Sequence, residues 1–133
     1  MKEVAAAIAI RDHRILVSRR ASGQALEGFW EFPGGKIEAE EDAQTCVIRE
    51  LQEELGVRAI AKSVIAQSEY TYPGGAIRLV AVEVLLDATD LQLTVHDQHA
   101  WVKLQDLLNL KLAPADIPIA EELQQIYGKD VDT

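Results

Sequence analysis

The chain has 133 residues, about the length of one domain able to bury a sizeable core. Apolar residues make up 48% and charged residues 26%, the ordinary balance of a globular protein. A formal net charge of −9 argues against a nucleic-acid polymer as the main partner, because such a partner calls for a basic stripe. Cys46 stands alone, so no intramolecular disulfide can form, and a reducing compartment is expected.

In chain order, Val4 to Ile10 reads as a buried strand, too short to span a bilayer. The charged turn Arg11-Asp12-His13-Arg14 leads to a hairpin partner at Ile15 to Arg19. With no signal peptide and no membrane segment, a cytoplasmic chain is expected. Ala21 to Gly28 reads as loop, Phe29 to Phe32 as a short aromatic stretch, and Pro33-Gly34-Gly35 as a turn. A helix follows, with Asp42 as its N-cap, Glu40 and Glu41 near its positive end, and Gly56 as its terminator.

Ala59 to Tyr72 is expected to form a strand with an irregular end. Pro73-Gly74-Gly75 then turns into a long strand at Ile77 to Leu86. Asp87 to Asp97 is polar enough for loop, Ala100 to Leu104 for a short strand, and Gln105 to Leu108 for a helical turn. A last helix runs from about Ile117 to Tyr127, closed by Gly128, with Ile119, Leu123 and Ile126 at helical spacing. No internal repeat or linker is present, so residues 1–133 are expected to be a single domain of mixed α/β class.

The central helix carries the chemistry. At about 100° per residue, Glu50, Glu53 and Glu54 share one face, and three carboxylates so placed repel one another. A hard divalent cation, Mg²⁺ or Mn²⁺, prefers oxygen ligands and neutralises such a cluster. Beside this face Val47, Ile48, Leu51 and Leu55 form an apolar stripe that can hold the helix against a core. Cys46, about one turn before the acids, reads as a small packing residue.

The spacing is specific. Gly35, five residues, Glu41, seven residues, then Arg49-Glu50-Leu51-x-Glu53-Glu54-x-Gly56-Val57 resembles the Nudix box at every defined position of residues 35–57. Nudix hydrolases cleave a nucleoside diphosphate linked to a further group, usually with Mg²⁺. The resemblance implies an α/β/α sandwich around a mixed β-sheet, with Glu50, Glu53 and Glu54 binding metal and activating water. It also implies a metal contact from the Gly34 carbonyl. A salt bridge from Arg49 would orient Glu53, four residues on. A free nucleotide bringing its own Mg²⁺ suits an acidic protein.

Outside the box, Trp30 to Lys36 resembles MutT-type members, as does the pair Arg19-Arg20, at a position used there for nucleotide binding. Arg20 and Lys36 are candidates to meet phosphates. Gly34 lets backbone come close to a ligand. Phe32 is the favoured aromatic platform for a base, ahead of Trp30, Tyr72 and Trp101. Leu112 to Pro118 resembles a stretch of bacterial CTP pyrophosphohydrolases, with Asp116 where the 8-oxo-dGTP enzymes carry an Asn that reads the base. An ionised carboxylate only accepts hydrogen bonds and so welcomes the exocyclic amine of cytosine or adenine. Asp116 could equally cap the last helix. In many relatives an acid stands where Val95 is found here. Its work then falls to the box glutamates, or to Asp97 in a shifted register, with His96 as a further base.

Together these readings give a Mg²⁺-dependent nucleoside triphosphate pyrophosphohydrolase, yielding a nucleoside monophosphate and pyrophosphate. Cytosine nucleotides (CTP, dCTP, 5-modified dCTP) or 8-oxo-dGTP are the expected substrates, and nucleotide-pool sanitation the expected role. The alternatives are an ADP-ribose or nucleotide-sugar pyrophosphatase and a non-catalytic nucleotide sensor. A monomer or homodimer is expected, with no polymer or membrane partner.

Overall fold

The computed structural model describes residues 1–87 and 99–131. Strand β1 (Lys2–Arg11) pairs with β2 (Arg14–Arg19) through the two-residue turn Asp12-His13. Both turn residues have positive φ, 52° and 62°, the twist that a right-handed hairpin demands. β3 (Trp30–Glu31) pairs with β2, and β4 (Gly34–Lys36) lies antiparallel to β1. Helix α1 (Ala43–Leu55) leads to β5 (Ala59–Tyr72) and β6 (Gly75–Leu86), a long antiparallel hairpin. β7 (His99–Lys103) pairs with β2, a 3-10 turn spans Leu104–Asn109, and α2 (Asp116–Val131) ends the described chain.

The sheet runs β3-β2-β1-β6-β5, with β1 parallel to β6 and the other pairings antiparallel. It is therefore mixed, as expected. Ala5 to Ala9 of β1 are each 2% exposed or less, which demands cover on both faces. Ala5, Ala7 and Ala9 pack in one cluster with Leu16, Val82 and the α1 residues Cys46, Val47 and Leu51. Ala6 and Ile8 pack in the other with Val17, Leu79 and the α2 residues Ile119, Ala120 and Leu123. The small alanines let both helices approach, and the α/β/α sandwich follows.

Five expectations need correction. Pro33-Gly34-Gly35 is not a free turn: Gly34 already belongs to β4, opposite Ala6 of β1. Ile48 is 39% exposed, and Cys46 takes its place in the core, because Ile48 is turned about 100° beyond Val47. The irregularity of β5 falls near its start, where the register shifts between Ala61 and Ala66. Helix α2 starts at Asp116 and runs through Gly128, since one glycine costs a helix only about 1 kcal/mol. On that helix Ile126 is 42% exposed, and Tyr127 packs instead, its hydroxyl donating to Glu83 at 3.1 Å.

Among the described residues no helix is long and apolar enough to cross a membrane. Val95, His96 and Asp97 lie outside the described residues.

Candidate active site

Local sequence fixes α1 at both ends. The Asp42 carboxylate accepts the Thr45 N–H at 2.7 Å, and Gly56 takes the left-handed conformation with φ 65°. The acidic and apolar faces, read from sequence as neighbours, overlap along the helix axis. Glu54 stands two turns beyond Val47 on nearly the same side, and it lines a cleft.

Arg49 organises the acids. Its guanidinium grips Glu41 with two bonds, Nε at 2.8 Å and Nη2 at 3.0 Å, and reaches Glu50 at 3.1 Å through Nη1. The expected bridge to Glu53 is present but longer, at 3.4 Å, and Nη2 also donates to the Lys36 carbonyl at 3.2 Å. The Arg49 fork holds the Glu41 carboxyl down at about 2, helped by the Glu38 N–H. Glu41 was visible in the spacing of the box, but its role as principal partner of Arg49 was not.

Arg49, Glu50 and Glu53 are thus brought together, with Glu54 beside Glu50. Among the described residues no three acidic, His or Cys side chains form a ready-made metal cluster. The Arg49 cation draws Glu50 and Glu53 toward itself. Glu54 is exposed by area yet lines the cleft. Its carboxyl is pushed up to about 8, first by desolvation and then by the charges of Glu50 and Glu31.

Two glycines make the close approaches. A Cβ on Gly34 would collide with the carbonyl of Ala5 in β1. One on Gly35 would collide with the Glu50 carboxylate. The Cys46 thiol is buried and donates to the Gly35 and Lys36 carbonyls at 3.4 Å each. Burial and the nearby Glu41 charge push it up to about 12, so it packs rather than reacts.

The cleft has a volume of about 760 Å³. It is bounded by Glu54 of α1, by Gly34 to Lys36, by the β5–β6 hairpin turn and by Asp116 of α2. Lys36 is exposed on its wall, and Lys2 lines it too. Arg20 also lines it, bonded to Glu31 at 3.2 Å and, through Nε, to the Ala25 carbonyl at 3.1 Å. Glu31, missed in the sequence, also lines the cleft, and its charge acts on both Glu54 and Asp116. Its own carboxyl is raised by burial, against the pull of Arg20.

Asp116 is 5% exposed and accepts the Phe32 N–H on Oδ2 at 3.0 Å, across 84 residues of chain. Burial pushes its carboxyl up to about 8, with the Phe32 bond and Arg20 pulling the other way. It is the first residue of α2, and its carboxylate bonds to Phe32 rather than to its own helix.

Of the four aromatic candidates, Phe32 and Tyr72 line the cleft. The Phe32 ring is 4% exposed within the α2-side core, so it serves chiefly as packing. Trp30 packs against that core under Arg19, and Trp101 lies on the α1 side under Arg11.

Comparison with known proteins agrees with this geometry. A model of the NUDIX domain matches residues 1–123. The CTP pyrophosphohydrolase of Escherichia coli (strain K12) is 39% identical over 121 residues, 91% of this chain and 90% of that protein. The 8-oxo-dGTP diphosphatase of the same organism is 38% identical over 82 residues, 59% of this chain and 64% of that protein. The solution structure of the E. coli ORF135 protein matches with a TM-score of 0.80 at 36% identity, covering 95% of this chain and 90% of that one. The chain belongs to the Nudix family of hydrolases.

Proposed function

We propose that the protein is a Mg²⁺-dependent nucleoside triphosphate pyrophosphohydrolase that prefers cytosine nucleotides and works in nucleotide-pool sanitation. The observation that carries this reading is one cleft joining the acidic end of α1, at Glu54, to a buried carboxyl, Asp116.

The residues present fit a hard divalent cation. Every principal influence on the Glu54 carboxyl, burial and the neighbouring acids alike, opposes its negative charge, and a doubly charged ion reverses that balance. Glu50 and Glu54 would be the principal ligands, with Glu53 as ligand or base and the Gly34 carbonyl as a further donor. Bound Mg²⁺ would offset charge on the phosphates as the P–O bond breaks and lower the pKa of the attacking water. Mn²⁺ can substitute, having the same taste for oxygen.

The chain's own groups do the rest. Arg49 positions Glu50 and Glu53 through its fork. Arg20 and Lys36, joined by Lys2, offer cations to the polyphosphate from the cleft wall. Phe32 contributes through its backbone, whose N–H occupies one oxygen of Asp116. The remaining oxygen can accept from the cytosine N4 amine when ionised. When neutral, Asp116 can also donate, and its raised pKa thereby favours 8-oxo-dGTP as a second substrate. The name of the E. coli CTP pyrophosphohydrolase supports the cytosine preference.

Pyrophosphate release from a panel of nucleoside triphosphates with Mg²⁺ tests the reading, with CTP or dCTP expected to rank first. Glu54→Gln should remove most turnover, and Asp116→Asn should move preference toward oxo-purines. Tight binding without turnover of any nucleotide would overturn the enzymatic assignment.

A further inference from the structure

The peptide preceding Asp116 is held in an unusual way. Both backbone polar groups of Ala115 are engaged by side chains of one strand. Its N–H donates to the Tyr72 hydroxyl at 3.1 Å, and its carbonyl accepts from the Ser68 hydroxyl at 2.6 Å. Ser68 and Tyr72 lie on the same face of β5, four residues apart. Their register partners on β6 are Leu79, a core residue that also lines the cleft, and Gly75 at the hairpin turn.

On the opposite flank the β3 side contributes only main-chain groups. Trp30 donates its N–H to the Lys111 carbonyl and accepts from the Ala113 N–H, both at 2.8 Å, and Phe32 donates to Asp116. Residues 111–116 are therefore laced to the β3 side by main chain and to β5 by two hydroxyls.

We propose that Ser68 and Tyr72 are positioning residues for base selection, fixing the Ala115 peptide so that Asp116 presents its second oxygen to the nucleobase at one depth and angle. Oδ2 is tied to the Phe32 N–H, so the direction of the other oxygen depends on where the Asp116 Cα stands relative to Phe32. That Cα is one bond from the peptide whose carbonyl Ser68 holds. With three anchors the carboxyl has one pose. With two, the corner can shift, and a carboxyl of variable pose discriminates poorly between an amine and a carbonyl on the base. The inference deepens the proposed reading of Asp116 and rests on it.

The test measures kcat and KM for CTP and for a guanine nucleotide, with melting temperature, in five variants. These are Ser68→Ala, Ser68→Thr, Tyr72→Phe, Asp116→Asn and the double variant Ser68→Ala with Asp116→Asn. Ser68→Ala and Tyr72→Phe should each raise KM for CTP about three- to tenfold, with the loss falling on KM rather than kcat. Both should compress the CTP-to-guanine ratio of kcat/KM, Ser68→Thr should restore it, and Ser68→Ala should add little in the Asp116→Asn background. A lower melting temperature with an unchanged ratio would overturn the inference, leaving the two hydroxyls as plain structural support. So would a ratio moved by Tyr72→Phe alone, which marks direct contact of that hydroxyl with the substrate. If Asp116→Asn itself leaves the ratio unmoved, the reading of Asp116 has failed and the inference falls with it.

Discussion

Replacing Gly35 with alanine probes the acidic site without touching an acid. The new methyl group would collide with the Glu50 carboxylate, lying 2.9 Å even from its farther oxygen. Relief needs a displacement of about 1 Å to reach ordinary contact distance. Gly35 does not adopt a positive φ, so alanine fits its backbone. The obstacle is the tip of a flexible side chain, which can swing away. The swing loosens the Nη1 bond from Arg49, a partly exposed pair worth roughly 0.5–1 kcal/mol, so stability should change little. Catalysis should change a great deal, because misplacing a reacting group by about 1 Å can cost about 10²-fold, equivalent to ~2.7 kcal/mol of barrier. Gly34→Ala is the control with the opposite signature. There the methyl would strike the Ala5 carbonyl in the middle of β1, which cannot swing, so a loss of about 3 kcal/mol of stability is expected. Pyrophosphate release at saturating CTP and Mg²⁺, measured beside a thermal melt, separates the two. A Gly35→Ala enzyme with kcat within about threefold of the parent would refute the claim that the pose of Glu50 governs the rate.

Burial and the neighbouring acids push the Glu54 carboxyl up to about 8 from its ordinary 4.5, so the folded metal-free chain binds more protons than the unfolded one. Its stabilising effect is full below about 4.5 and is lost as pH rises through 8; Asp116 acts in the same direction. In EDTA the melting temperature should therefore fall over that window, less steeply in Glu54→Gln, and Mg²⁺ should recover the loss at its upper end; an equally steep fall in the variant would contradict this. Raising pH through 8 should also lower the ratio of guanine-type to cytosine turnover, as Asp116 loses the proton it can donate, an effect absent in Asp116→Asn. Arg49→Lys keeps the charge but not the double bond to Glu41, so kcat should drop by about tenfold or more while the fold survives. Cys46, fully buried with its thiol pushed up to about 12, should resist iodoacetamide at pH 8 until the chain is unfolded, as followed by mass spectrometry.

What the sequence made legible was local. The Asp42 cap, the Gly56 stop, the Asp12-His13 turn and the buried strand at Val4 to Ile10 depend on neighbours in the chain. Each was readable from spacing and residue type. The misreadings share a different cause. Gly34 looked like a turn because its strand partner, Ala6, is remote in the chain. Ile48 was placed in the core by its hydrophobicity, but the facing direction of α1 is set by the alanines of β1, which admit Cys46 and Val47 instead. Arg49 does bridge Glu53 as the helical i, i+4 rule predicts, but its two shortest bonds go to Glu41, which precedes the helix. The bond between Asp116 and Phe32 has no local signal at all.

The same division separates the proposed chemistry from the proposed selectivity. Arg49, Glu50, Glu53 and Glu54 share one short helix, so helical geometry alone brings them together, and reading them needs no knowledge of the rest of the chain. Asp116 depends instead on Phe32 at the end of β3, on Ser68 and Tyr72 through Ala115, and on the charge of Glu31 held by Arg20. Each of those contacts crosses between elements, and each can change while the acidic helix stays as it is. Substitutions that alter which nucleotide is preferred should therefore gather on β3, on the second half of β5 and before α2. Those that alter how fast any nucleotide is hydrolysed should gather on α1 and β4. A scan in which the two classes of effect were mixed evenly over both sets would show that base choice and bond cleavage are not built separately in this fold.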